Sequence, residues 1–203
     1  MRKIEKSEIV EVAKIFAENI KDINIHKYFF PDPVQYHESM ELLYLFYTNY
    51  HFDNVFVSDD LKCASIVHPP HKKFKIPSIK DAYSNFTYLT SIGIKAMSRL
   101  VSYQYWMASF RDIVTKEPNY YLDIFALKGS YNLQVSEKEN FKKCDSSDDI
   151  LINIINKANS ENYKVFTETY NPENIKFFED YGFKVVKENV VPQISLTQYN
   201  LTT

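Results

Sequence analysis

The sequence predicts an α/β (α+β) domain built on a mixed, mostly antiparallel sheet with helices on both faces. Three stretches carry that expectation. Tyr163–Val186 packs a strand, a capped helix, a glycine stop and a second strand into one short unit. Asn54–Ser58 and Leu61–His68 read as two strands joined at Asp59-Asp60, a hairpin. Tyr120–Leu127 carries apolar residues on both of its sides, as a central strand covered on both faces requires.

The elements follow in order. Ser7 is the expected N-cap of a first helix whose inward face is Ile9, Val12, Ala13, Phe16 and Ile20. Phe29-Phe30-Pro31-Asp32-Pro33 breaks that pattern. A second, broadly apolar helix is expected over 35–49, and a third over 79–100, with Gly93 a break and Trp106, Met107 and Phe110 on an extension. After the central strand, 129–147 is polar and irregular. A helix then runs over 148–160, with Ser146 and Asp149 as a capping pair and Ile150, Leu151 and Ile154 inward. Lys164–Tyr170 alternates like a half-buried strand. Asn171 caps the next helix, Pro172 fits its first position, and Gly182 ends it. Phe183, Val185 and Val186 start another strand, residues 190–193 form a link, and 194–201 alternates as the last strand.

Bulk properties exclude several classes. A chain of 203 residues fits one domain, 1–203, with a core that needs no staples. With 16 Tyr and 15 Phe, large rings carry much of the packing. A net charge of −2 makes no electrostatic case for nucleic acid or an anionic membrane. Cys63 and Cys144 read as free thiols in a reducing compartment, and no apolar run nears the ~20 residues of a membrane span, so a cytoplasmic protein is expected. Neither a monomer nor a homodimer is preferred. His68, His71 and Cys63 have no recognised zinc spacing, and no metal ligand set is read.

The unit from Tyr163 to Val186, together with Asn119–Leu127, resembles the GNAT family of acyl-CoA-dependent N-acyltransferases: a strand ending in Glu168-Thr169, then Asn174, a Phe177-Phe178 pair, Gly182-Phe183 and a strand. The resemblance implies that acetyl-CoA is the co-substrate and that a small-molecule or peptide amine is the acceptor. Residues 119–203 would form the acyl-CoA half, with the acceptor side in the N-terminal half. The backbone of Ile124, Phe125, Ala126 and Leu127 would hold the pantetheine arm, beside Asn174, Phe177 and Phe178. Glu168 matches a Glu that would accept the amine's proton, or it makes a local strand-end ion pair. Asp123 is a second acid, either facing the gap or buried with a partner.

Two features depart from the family pattern. The glycine-rich pyrophosphate loop is degenerate: Gly129 is the only glycine near the end of the central strand, and Asp145, Asp148 and Asp149 gather where a helix N-terminus would otherwise favour a diphosphate. Lys138, Lys142 and Lys143 offer compensating charge or are simply solvated. Phe178 also stands where many relatives carry the tyrosine that protonates the leaving thiolate, with Tyr181 and Tyr170 as the nearby substitutes. Two functions therefore follow from the resemblance, an N-acetyltransferase or a catalytically silent GNAT-fold module that binds a ligand or a partner.

Overall fold

The computed structural model describes residues 1–20, 24–32, 36–70, 93–114, 117–128, 144–191 and 195–203. Among them, seven strands form one sheet: β1 (Arg2–Lys3), β2 (Val55–Val57), β3 (Cys63–His68), β4 (Tyr120–Leu127), β5 (Val165–Thr169), β6 (Lys184–Val191) and β7 (Leu196–Thr202). Their order is β1-β2-β3-β4-β5-β7-β6. Every neighbouring pair is antiparallel except β4 with β5. The expected mixed α/β sheet is the one observed.

Helices α1 (Ile9–Ile20), α2 (Asn24–Phe29), α3 (Tyr36–Tyr50) and α4 (Ile94–Val114) contribute to one core; α5 (Asp145–Ser160) and α6 (Glu173–Glu179) contribute to the other. Val12 and Phe16 of α1 and Met40 and Leu43 of α3 share the first core with Val55, Ile66, Ile124 and Ala126 of the sheet. Ile150, Leu151 and Ile154 of α5 and Phe177 and Phe178 of α6 share the second with Leu122, Val165 and Leu201. Each such large apolar side chain removed from water contributes about 1.5–3 kcal/mol, so the central strands are held from both sides.

Several boundaries differ from the sequence expectation, each for a local reason. The first helix is entered through a 3₁₀ turn at Lys6–Glu8, capped by Glu5 rather than Ser7. The Glu5 N–H donates to Glu8 Oε2 at 2.9 Å, and Arg2 grips both oxygens of the same carboxylate. The helix expected from 148 begins at Asp145, because Cys144 and Ser147, not Ser146 and Asp149, close the cap; the Cys144 N–H donates to Ser147 Oγ at 2.9 Å. Pro172 takes the N-cap position of α6, one residue later than expected, while Asn171 Oδ1 still accepts the Glu173 N–H at 3.1 Å. Val190 and Val191, read as a link, pair with Thr197 and Leu196 and extend β6. Helix α4 follows Gly93, whose φ of +86° suits the break assigned to it. Residues 79–92, most of the polar stretch 129–147, His71 and Pro192-Gln193 fall outside the described residues, as do Lys138, Lys142 and Lys143.

Candidate active site

One irregularity on β4 organises the site. Ile66 of β3 faces Ile124, but the next residue, Val67, faces Leu122. Asp123 is therefore the extra residue of a β-bulge, which bends a strand and re-aims its side chains. The bulge also changes which face the even-numbered residues meet: Leu122 packs in the second core and Ile124 in the first. On its other edge β4 pairs with β5 only at Tyr120–Val165, Tyr121–Phe166 and Leu122–Thr167. The Thr167 hydroxyl donates to the Leu122 carbonyl at 2.9 Å and closes the last rung. Beyond that point the two strands part, β5 continuing against β7.

A cavity of ≈ 220 Å³ lies at this parting. Tyr121, Asp123, Ile124 and Phe125 of β4 form one wall, and Thr167, Glu168, Thr169 and Tyr170 the other. Phe29, Tyr44, Phe46 and Tyr47 from α2 and α3, with Met97, Tyr103 and Gln104 from α4, close it on one side of the sheet. Asn174 and Phe178 of α6 close it on the other, so the cavity reaches through the gap between the strands.

Two carboxylates face each other across this gap. Asp123, with a side chain 8% exposed, accepts from the Tyr47 hydroxyl at 2.9 Å and meets His68 Nε2 at 3.2 Å, both at Oδ2. Glu168 accepts from Gln198 Nε2 at Oε2. The Tyr121 hydroxyl lies between the pair, within reach of Asp123 Oδ1 at 3.0 Å and of Glu168 Oε1. A phenol has one proton to donate, so it serves the two carboxylates one at a time. Like charges held this close favour a cation beside them. His51 packs edge-on to His68, ring centres 4.9 Å apart. Burial is the main cause that depresses its pKa to about 4; Asp123 opposes the shift and His68 adds to it.

The residues named from the sequence divide into those at the cavity and those away from it. Glu168, Asp123, Ile124, Phe125, Asn174 and Phe178 line the cavity. Ala126 and Phe177 are buried in the two cores, and the Phe177 ring lies tilted against Phe125, centres 5.6 Å apart. Leu127 is held by α1: Asn19 accepts its N–H at 3.0 Å and donates to its carbonyl at 2.9 Å. Tyr181 does not line the cavity. Its hydroxyl donates to Asp148 at 2.6 Å and touches Ser147 Oγ at 2.9 Å, and burial followed by the Asp148 contact raises its pKa well above the usual phenol value. Of the two substitute tyrosines, Tyr170 is the one at the cavity; its hydroxyl meets that of Tyr103 and accepts from Gln198 Nε2 at 3.3 Å. Cys63, grouped with His68 by sequence, sits at the opposite end of β3, where burial pushes its thiol pKa far up. Asn19, Tyr47, His51, Tyr121 and Gln198 gave no signal in the sequence, since they come from α1, the end of α3, β4 and β7, which are far apart in the chain.

Comparison with known proteins places this geometry. No family model matches the chain, and no curated protein matches it in sequence. Solved structures do resemble it over nearly the full length. A histone acetyltransferase HPA2 and related acetyltransferase from Corynebacterium glutamicum superposes with a TM-score of 0.60 at 9% identity, covering 98% of this chain and 92% of that one. The C-terminal condensation domain of Ebony, in complex with β-alanyl-dopamine, gives 0.58 at 10% identity over 98% and 95%. A mosquito arylalkylamine N-acetyltransferase like 5b gives 0.57 at 12% identity over 100% and 97%. The chain has the GNAT acetyltransferase fold.

Proposed function

We propose that the chain is an N-acetyltransferase that moves the acetyl group of acetyl-CoA to a small amine. The observation that supports this reading most is the parting of β4 from β5 with Glu168 and Asp123 on its two walls. The opened strand edges and Asn174 suit the amide-bearing pantetheine arm of the donor. The diphosphate end is less well provided for. Cys144 and Ser147 already cap α5, and Asp145 and Asp148 lie in its first turn. Asn19 also occupies the Leu127 rung of the β4 edge.

Acetyl-CoA, when bound, supplies an acyl carbon activated as a thioester. The residues of the chain do the rest. The paired carboxylates attract the acceptor's ammonium group into the gap. Glu168 takes one proton from it, leaving a neutral nitrogen with a free lone pair for attack. The gap holds the two reactants in line, which lowers the entropic part of the barrier. Tyr170, a hydroxyl at the cavity, returns a proton to the departing thiolate, a role Phe178 has no atom for. The aromatic walls from α2, α3 and α4 favour an amine with a compact apolar body over a polycation.

A second reading, a catalytically silent binding module, is favoured by the capped α5 terminus and the Asn19 contact. Calorimetric titration with acetyl-CoA separates the two. Heat with micromolar affinity, followed by acetylated product from an amine panel read by mass spectrometry, supports the transferase. No heat at millimolar acetyl-CoA removes it.

A further inference from the structure

We propose that His51, His68 and Asp123 form a binding site for a divalent transition-metal ion of the zinc type. Among the described residues, these three side chains bring one donor atom each to within 4.8 Å of one another. His51 and His68 are 4% and 6% exposed, and the Asp123 side chain is 8% exposed, so the donors converge in a largely dry place.

The spacing is near that of a loaded site. Zinc bonds imidazole nitrogen at about 2.0–2.1 Å, which sets neighbouring tetrahedral donors about 3.3 Å apart and the ring centres of two imidazole ligands about 5 Å apart. His68 Nε2 and Asp123 Oδ2 are 3.2 Å apart. The His51 and His68 ring centres are 4.9 Å apart, their planes at 84°. Closing the remaining edges asks the third donor to move by about 1.5 Å at most, a side-chain adjustment.

The surroundings fit as well. Metal-bound histidines and carboxylates are oriented by outer partners. Asp123 Oδ1 has the Tyr121 hydroxyl at 3.0 Å, and His68 Nδ1 faces the Asn54 side-chain amide at 3.4 Å. With that amide turned so that its oxygen faces the ring, Asn54 is the acceptor a metal-bound imidazole needs, and the turn exchanges two atoms of nearly equal size. Two nitrogens and one carboxylate oxygen select a first-row transition metal over magnesium or calcium, which take oxygen sets. Glu168, joined to Asp123 through Tyr121, supplies the second negative charge that balances a dication. With the ion in place Asp123 serves the metal and Glu168 alone meets the cavity. The proposal shares Asp123 with the acyl-transfer reading, but its test contains neither acetyl-CoA nor an amine, so the failure of one is distinguishable from the failure of the other.

Chelator-treated full-length protein is titrated with Zn²⁺ against a competing dye and, separately, with Co²⁺ under visible spectroscopy. A Cys144→Ser background removes the exposed thiol as a stray ligand. The expected result is one ion per chain, bound tighter than about 1 µM. Visible cobalt bands without a near-ultraviolet thiolate band are expected, and about 100-fold weaker binding in His51→Gln and in His68→Asn. No binding below about 100 µM would overturn the proposal and leave a proton shared between His68 and Asp123 as what holds them together. A thiolate band, or binding that survives both histidine variants, would overturn it equally. Should a variant fail to fold by circular dichroism, the wild-type cobalt spectrum still reports the donor set.

Discussion

Acid should weaken the metal-free fold through His51. The ring is 4% exposed and lies 4.5 Å from Tyr47, 4.8 Å from Tyr50 and 4.9 Å from His68, centre to centre. Its pKa falls from an ordinary 6.5 to about 4 in the folded chain, chiefly because burial penalises the charged form. Between those values the unfolded chain holds the extra proton and the folded chain does not, so stability drops as pH drops. The full difference is worth about 3 kcal/mol, and about 2 kcal/mol of it is lost by pH 5. The assay is urea unfolding from pH 7.5 to 4.5 in EDTA, wild type against His51→Phe, which keeps a ring and removes the titrating nitrogens. The wild-type curve should lose about 2 kcal/mol more than the variant by pH 5. Parallel curves would refute the reasoning, since every other titrating group is common to both.

Three further outcomes are expected. Glu168→Gln keeps the shape of the side chain but removes the proton acceptor, so kcat/KM for amine acetylation should fall about 10²–10⁴-fold while the unfolding midpoint barely moves. A loss below tenfold would take Glu168 out of the chemistry. Asn19→Ala strips both backbone groups of Leu127 of a partner and should cost about 1–3 kcal/mol in urea unfolding; a change under half a kcal/mol would mean the contact carries little. Tyr181→Phe should lower stability by about 1–2 kcal/mol through the lost Asp148 and Ser147 contacts with kcat unchanged, and the opposite pattern would return Tyr181 to catalysis.

Much of the fold was legible because its signals are local. Asn171, Pro172 and Gly182 mark the start and stop of a helix wherever they fall, and the two-sided apolar pattern of Tyr120–Leu127 marks a covered strand from composition alone. Glu168 was legible as a candidate through the strand-helix-strand resemblance, and Asp123 through its place on the central strand. Errors came where two local signals compete. Ser7, Glu5 and Glu8 all suit a helix entrance, and Arg2, pairing with Glu8, tips the choice. Ser146 and Ser147 are equally good hydroxyls, and Ser147 closes the cap on Cys144 while Ser146 donates to Asp60. His68 was grouped with Cys63 by nearness along the chain, but an extended strand carries residues five apart to opposite ends.

By itself the sequence determined the α/β class, the hairpin and the central strand, because periodicity and turn chemistry act over a few residues; the two carboxylates were named in the light of the family resemblance. The tertiary structure alone decided that Asp123 occupies a bulge, that β4 leaves β5 after Leu122, and that Tyr47, His51, His68 and Tyr121 gather around one carboxylate. Those features depend on register between strands far apart in the chain, and a one-residue slip in pairing leaves no mark on the composition of either strand.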